Sequence, residues 1–345
     1  MHSTMYKLFI TLLLATGLPL LGCRAQSKPV HQAPAPLYRD PIFDGAADPT
    51  LIWNDKEKAW WMLYTQRRAS VDAENVAYCY GSKIGIAESK DNGHTWVYRG
   101  ALNLEFEKGE NTFWAPDVVY NNGTYHMFVA YIQGARTNWE GNARIAHYTS
   151  KDMWDWKFEG FPQLTSEKVI DPTLYQLPDK TWRMWYKDED QGSHTMMASS
   201  KDLNKWTYTT KTPAIGGNGH EGPKVFRFKD HYWMVTDEWH GMRVYRSEDL
   251  NTWTRQGLIL DVPGKRKDDT PTGAHGDVVV TGEQAYVIYF THPGRKVHTE
   301  SPVNEDGIQP YSIRRSSIEA AELKFENGTL TCDRDAPFDF YLPSR

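Results

Sequence analysis

Cysteine is almost missing from this chain: three in 345 residues, Cys23, Cys79 and Cys332. So small a number excludes a disulfide-stapled scaffold. Long hydrophobic runs are missing too, apart from Leu8–Leu21, which is too short to cross a bilayer as a stable helix. There is no long basic run and the formal net charge is −5, which argues against a nucleic-acid partner. Nor does any long segment carry apolar residues at helical spacing, which argues against a helical fold.

What the chain does have is aromatic residues, 13% of the total with 14 Trp, and a repeat that uses them. From Glu221 to Trp253 an acid precedes an apolar run, a polar turn at Lys229–His231, an aromatic run, a third strand at Met242–Arg246 and a closing turn. Strands this short between turn residues predict a four-stranded antiparallel sheet. The opening occurs five times: Asp48-Pro49-Thr50, Trp114-Ala115-Pro116-Asp117, Ile170-Asp171-Pro172-Thr173, Glu221-Gly222-Pro223 and His275-Gly276-Asp277. An aromatic strand follows each, and outer hairpins of the form Ser89-Lys90-Asp91…Trp96 recur at Ser150, Ser200 and Ser247. The fifth outer hairpin has drifted and turns at Asn327-Gly328.

A period of roughly 50 to 70 residues with about four strands per unit predicts a propeller. One sheet alone exposes both faces; packed radially, neighbours bury each other's aromatics. The expected fold is all-β, a five-bladed β-propeller with four antiparallel strands per blade. Asn122-Gly123 and Asn327-Gly328 read as hairpin turns rather than glycosylation sites.

Lys7 precedes the apolar run and Leu20-Leu21-Gly22-Cys23 ends it, the layout of a secretory signal. That ending resembles a bacterial lipobox, with Cys23 the lipidated first residue of the mature protein. The expected organisation is a signal peptide over 1–22, a Pro/Ala/Gln tether over 23–37 and the propeller over 38–345. The expected location is the bacterial cell envelope, on a lipid anchor. Cys79 and Cys332 then remain either to pair or to stay as thiols.

Because innermost strands begin beside the axis, the acids that open the blades are expected to converge on one pocket. Crowded carboxylates repel and their pKa values split, so one stays protonated near neutral pH while another is ionised. Glycoside hydrolysis needs that combination. Pro49 and Pro172 are expected to bias Asp48 and Asp171 toward extended backbone.

Together these openings resemble glycoside hydrolase family 43, whose members are five-bladed propellers, mostly α-L-arabinofuranosidases, β-xylosidases and arabinanases. The resemblance runs from about Asp40 to Leu330. It implies Asp48 as the general base, Asp171 as the carboxylate that raises the acid's pKa, and Glu221 as the general acid. Inversion of configuration is implied, with base and acid roughly 6.5–9.5 Å apart. Trp114, Asp117, His220, Trp239 and Arg295 are the expected substrate contacts. His275 resembles an axial histidine beside a bound cation, a possible structural calcium; no cofactor is otherwise required. The Ser89–Trp96 stretch fits the Asp-box turn of sialidase-like propellers, a structural device of the rim. The expected partner is an oligosaccharide or polysaccharide, attacked from its end by a monomer. Two other readings keep the fold: a related propeller glycosidase acting on marine oligosaccharides, and a non-catalytic glycan-binding lipoprotein. The Asn-Asp-Pro-Asn opening of fructosidases is missing.

Overall fold

The computed structural model describes residues 31–296 and 302–345. The segment expected as a signal peptide, 1–22, and Cys23 lie outside the described residues. Five four-stranded antiparallel sheets follow one another along the chain. Blade one is β1 (Ala46–Asn54), β2 (Ala59–Gln66), β3 (Lys83–Ser89) and β4 (Val97–Ala101). Blade two is β5 (Thr112–Asn121), β6 (Thr124–Ile132), β7 (Arg144–Ser150) and β8 (Lys157–Gly160). Blade three is β9 (Val169–Gln176), β10 (Trp182–Asp188), β11 (His194–Ser200) and β12 (Trp206–Thr207). Blade four is β13 (Glu221–Phe228), β14 (His231–Asp237), β15 (Met242–Ser247) and β16 (Thr254–Ile259). Blade five is β17 (Ala274–Thr281), β18 (Gln284–Thr291), β19 (Ser317–Glu326) and β20 (Thr329–Thr331). The first strands touch in a closed cycle, β1 to β5, β9, β13, β17 and back to β1, so they line the axis. This is the five-bladed propeller expected.

Strand alternation explains how one blade serves two neighbours, because successive side chains point to opposite faces. Trp60 and Met62 of β2 pack toward blade five with Tyr286, Ile288 and Ile318. Trp61 and Leu63 pack the other way, onto Val118, Met127 and Val129 of blade two. Phe128 and Ile145 meet Met184 and Tyr186 of blade three, and Trp185 meets Val225 and Met234 of blade four. Trp233 and Val235 meet Val278 and Val287 of blade five, which completes the ring. Trp61, Trp185 and Trp233 are fully buried, and truncating any of them to Ala costs about 3–5 kcal/mol.

The outer hairpins are tied locally. Asp91 accepts from the Ser89 hydroxyl at 2.9 Å and the Thr95 N–H at 2.8 Å; Asp152, Asp202 and Asp249 hold the equivalent turns. Asn122 and Gly123, and likewise Asn327 and Gly328, have positive φ, as two-residue hairpin turns require. Both described ends of the chain seal the joint between blades five and one. Gln32 bridges Asp339 and Tyr38 pairs with Ile318. Ala33 and Leu37, in the segment expected as a tether, are buried with Phe338, Phe340 and Leu342. Cys79 and Cys332 are free thiols in separate places, Cys79 in the pocket wall and Cys332 against the core between blades four and five.

Candidate active site

Each innermost strand slips register once near its start. In four of them the residue before proline is left-handed: Asp48 (φ 49°), Ala115 (48°), Asp171 (56°) and Gly222 (57°). The expectation of extended backbone at Asp48 and Asp171 is therefore corrected. Proline disfavours the right-handed helical region for its predecessor, but a bulge requires a residue that turns the chain, and these residues do so. Each non-glycine residue in that region costs of order 1–3 kcal/mol. The bulge re-aims the side chain from the blade face toward the axis.

Two layers result. The upper one holds Asp48, Asp171, Glu221 and His275, which line a pocket of about 810 Å³. Two residues past each bulge comes the lower layer: Thr50, Asp117, Thr173, Lys224 and Asp277. Lys224 Nζ donates to Asp117 and Asp277 at 2.9 Å each. Asp277 also accepts the Leu51 N–H at 2.7 Å, and Asp117 accepts the Leu174 N–H at 2.7 Å. All five blades are thus joined beneath the pocket.

Within the pocket Arg67 stands 3.2 Å from Asp48, and His275 Nδ1 lies 3.6 Å from Asp48 and 4.0 Å from Asp171. Burial pushes the Asp48 carboxyl up, but Arg67 and then His275 outweigh it and hold the group at about 2. Burial, with Glu221 behind it, pushes Asp171 up to about 6 against the pull of His275. Asp171 accepts the Gly222 N–H at 3.1 Å, directly beside Glu221. Burial also works to raise Glu221, yet the Lys187 ammonium 3.1 Å away brings it below the usual carboxylate range. Asp237 lies opposite Glu221 across β13 and β14, and burial with the Glu221 charge pushes it up to about 7. The pocket thus contains two carboxylates held ionised, Asp48 and Glu221, and two whose proton affinity is raised toward neutrality, Asp171 and Asp237.

Residues 39–280 match the profile of a glycoside hydrolase 43-related family, described as a "probable glycosyl hydrolase domain". The chain belongs to this family. It is 24% identical over 191 residues to the probable arabinan endo-1,5-alpha-L-arabinosidase A of Emericella nidulans, covering 50% of this chain and 56% of that protein. It is 25% identical over 253 residues to the probable sucrose-6-phosphate hydrolase of Psychromonas ingrahamii, covering 65% and 43%. The chain therefore spans about half the length of the curated relatives it matches. Among solved structures, a thermostable family-43 glycoside hydrolase superposes with a TM-score of 0.64 at 18% identity, covering 89% of this chain and 100% of that one. The GH43_1 enzyme of Xanthomonas citri, complexed with xylotriose, superposes at 0.60 with 16% identity, covering 90% and 97%.

In this family-43-related chain Asp48, Asp171, Glu221, Trp114, Trp239, Arg295 and His275 all line the one pocket. Two expected contacts do not. Asp117 is buried in the lower layer as a partner of Lys224. His220 is buried beside the pocket, where Nε2 faces the Thr195 N–H at 3.1 Å and Nδ1 faces the Asn218 carbonyl at 2.9 Å. Both corrections have one cause: proximity in sequence to an acid opening does not fix the layer a side chain enters.

The possible calcium does not fit His275. Calcium takes six to eight oxygen ligands, whereas among the described residues no group of three His, Cys, Asp or Glu side chains stands ready for a metal. The imidazole instead serves as a cation: burial opposes its charge, but Asp171 and Asp48 raise it to about 9. Lys187 and Asp237, at the far ends of second strands, are the site residues that sequence reading missed.

Proposed function

We propose that this chain is an inverting glycoside hydrolase that removes sugars from the ends of plant- or algal-type glycans, of α-L-arabinofuranosidase or β-xylosidase type. The observation that carries the reading is the meeting of Asp48, Asp171 and Glu221, each from a different blade, in one pocket with divergent proton affinities. Asp48, ionised and held by Arg67, takes the proton of a water that attacks the anomeric carbon. Glu221 gives a proton to the leaving oxygen as the glycosidic bond breaks. Lys187 keeps Glu221 ionised at rest, so its protonation accompanies substrate entry, when the leaving sugar turns the ammonium toward Glu189, 3.4 Å away. Asp171 favours that protonation through its own charge.

Walls from several blades, with Tyr78, Tyr80, Trp139 and Trp239 among them, support action at chain ends. A relative named for arabinan and a structural neighbour bound to xylotriose support a pentose substrate. Assays on nitrophenyl arabinofuranoside and xylopyranoside, followed by a glycan panel with NMR of the first anomer released, test substrate and stereochemistry. Glu221→Gln is expected to lower turnover of natural glycans by about 10²–10⁴-fold with unchanged melting; turnover like the parent's would overturn the acid assignment. The Leu20-Leu21-Gly22-Cys23 ending supports a lipid anchor at Cys23 in the bacterial envelope, so palmitate labelling should vanish in Cys23→Ala.

A further inference from the structure

We infer that the sugar chain bound in this pocket carries, on a unit next to the pentose that is cleaved, an anionic group, carboxylate or sulfate, which docks on Arg295 beside Tyr78. The inference rests on the glycosidase reading for the word sugar, and on the charges of the pocket for the rest.

Pairing those charges leaves a remainder. Arg67 is matched to Asp48, His275 to Asp48 and Asp171, and Lys187 to Glu221 and Glu189. Asp237 is satisfied by the N–H groups of Trp239 at 2.6 Å and His275 at 3.0 Å. Three further cations line the same cavity: Arg136, Arg295 and Lys296. Among the described residues none of them has a carboxylate within ion-pair distance. Arg295 is half-buried and fixed by neutral groups, through Nε to the Ile313 carbonyl at 3.1 Å and Nη2 to the Tyr78 hydroxyl at 2.9 Å.

A guanidinium held rigid by oxygens that do not neutralise it is preorganised for a planar or tetrahedral anion. A neutral sugar asks only for hydroxyl partners and would leave this charge half-buried and uncompensated, which is costly. His292 reports the same local field. Its Nδ1 faces the Arg315 carbonyl at 3.0 Å, and burial followed by the charges of Arg295 and Arg67 drives its pKa well below the usual histidine range. The corner of the pocket nearest Asp48 is thus electropositive even after Arg67 is paired.

The test is calorimetric titration of the full chain carrying Glu221→Gln with matched sugars: glucuronic acid against glucose, and a galactose sulfate against galactose. One acidic sugar should bind at least about tenfold more tightly than its neutral partner, with the advantage shrinking as salt rises. Which acid it is distinguishes carboxylate from sulfate. Adding Arg295→Met should remove the preference, and Arg295→Lys should retain part of it. Equal affinity for acidic and neutral partners, no binding of either acid, or a preference untouched by Arg295→Met would overturn the inference. For a variant that misfolds, the acid-to-neutral ratio and its salt dependence in the parent still decide. Turnover of neutral pentosides without any anion preference sinks this inference alone. An Arg295-dependent preference in a chain that cleaves no glycoside sinks the hydrolase reading alone.

Discussion

Lys187 stands 3.1 Å from Glu221 and 3.4 Å from Glu189, buried at the end of β10. An ammonium that close favours the charged carboxylate, which is the wrong form for a proton donor. Removing it as Lys187→Met should raise the Glu221 pKa. The acid then stays protonated to higher pH, so the alkaline limb of kcat/KM is expected to move upward by about one unit or more. A pH–rate profile of parent and variant checks this, and an unmoved limb would show that Glu221 is not the group titrating there. At the same scale Arg67 explains why Asp48 differs from Asp171 although both are buried on turns of the same design. One carboxylate has a permanent cation at 3.2 Å and the other shares a histidine at 4.0 Å.

The bulged strand start is the element that turns a blade into part of a site. Gly222 shows how little slack it has: a Cβ there would lie 2.4 Å from the His275 ring, at a φ of 57° that side chains rarely adopt. Gly222→Ala is therefore expected to displace His275 and cost about 1–3 kcal/mol, read as a lower urea midpoint together with lost turnover. Stability and turnover like the parent's would refute the close packing. This element was legible in sequence because Asp48-Pro49, Ala115-Pro116, Asp171-Pro172 and Gly222-Pro223 repeat at the same point of four of the five units. Its handedness was not, since the pre-proline rule was read as a bias toward extended backbone. Asp117 was misread because residues two apart along a bulged strand enter different layers, one facing the pocket and one the lower ring. Lys187 and Asp237 end aromatic strands whose pattern announces only packing. They reach the pocket because Asp237 pairs opposite Glu221 and Lys187 opposite Ile170, and no spacing along the chain encodes that register.

At the scale of the whole molecule the lower ring does what a single core cannot: it ties five separate sheets at their common centre. Burial raises Asp117 and Lys224 opposes this, so the ammonium offsets part of the cost of burying the acid's charge. Lys224→Met leaves Asp117 and Asp277 facing each other without a cation, at an expected cost of about 3–5 kcal/mol. The loss should grow as pH rises, because burial already raises Asp117 and it must then ionise without its cation. Converting both acids to Asn in the same variant should recover most of it, as read from urea unfolding at two pH values; no recovery would place the damage elsewhere. The ring has one more consequence. Lys224 reaches Asp117 and Asp277 across the axis at 2.9 Å each, so charged side chains in direct contact occupy the axis below Asp48, Asp171 and Glu221, where a propeller offers a tunnel by symmetry. On the proposed reading of action at chain ends, that contact favours one mouth for entry and exit, and the product would hold the place of the next chain end until it diffuses out.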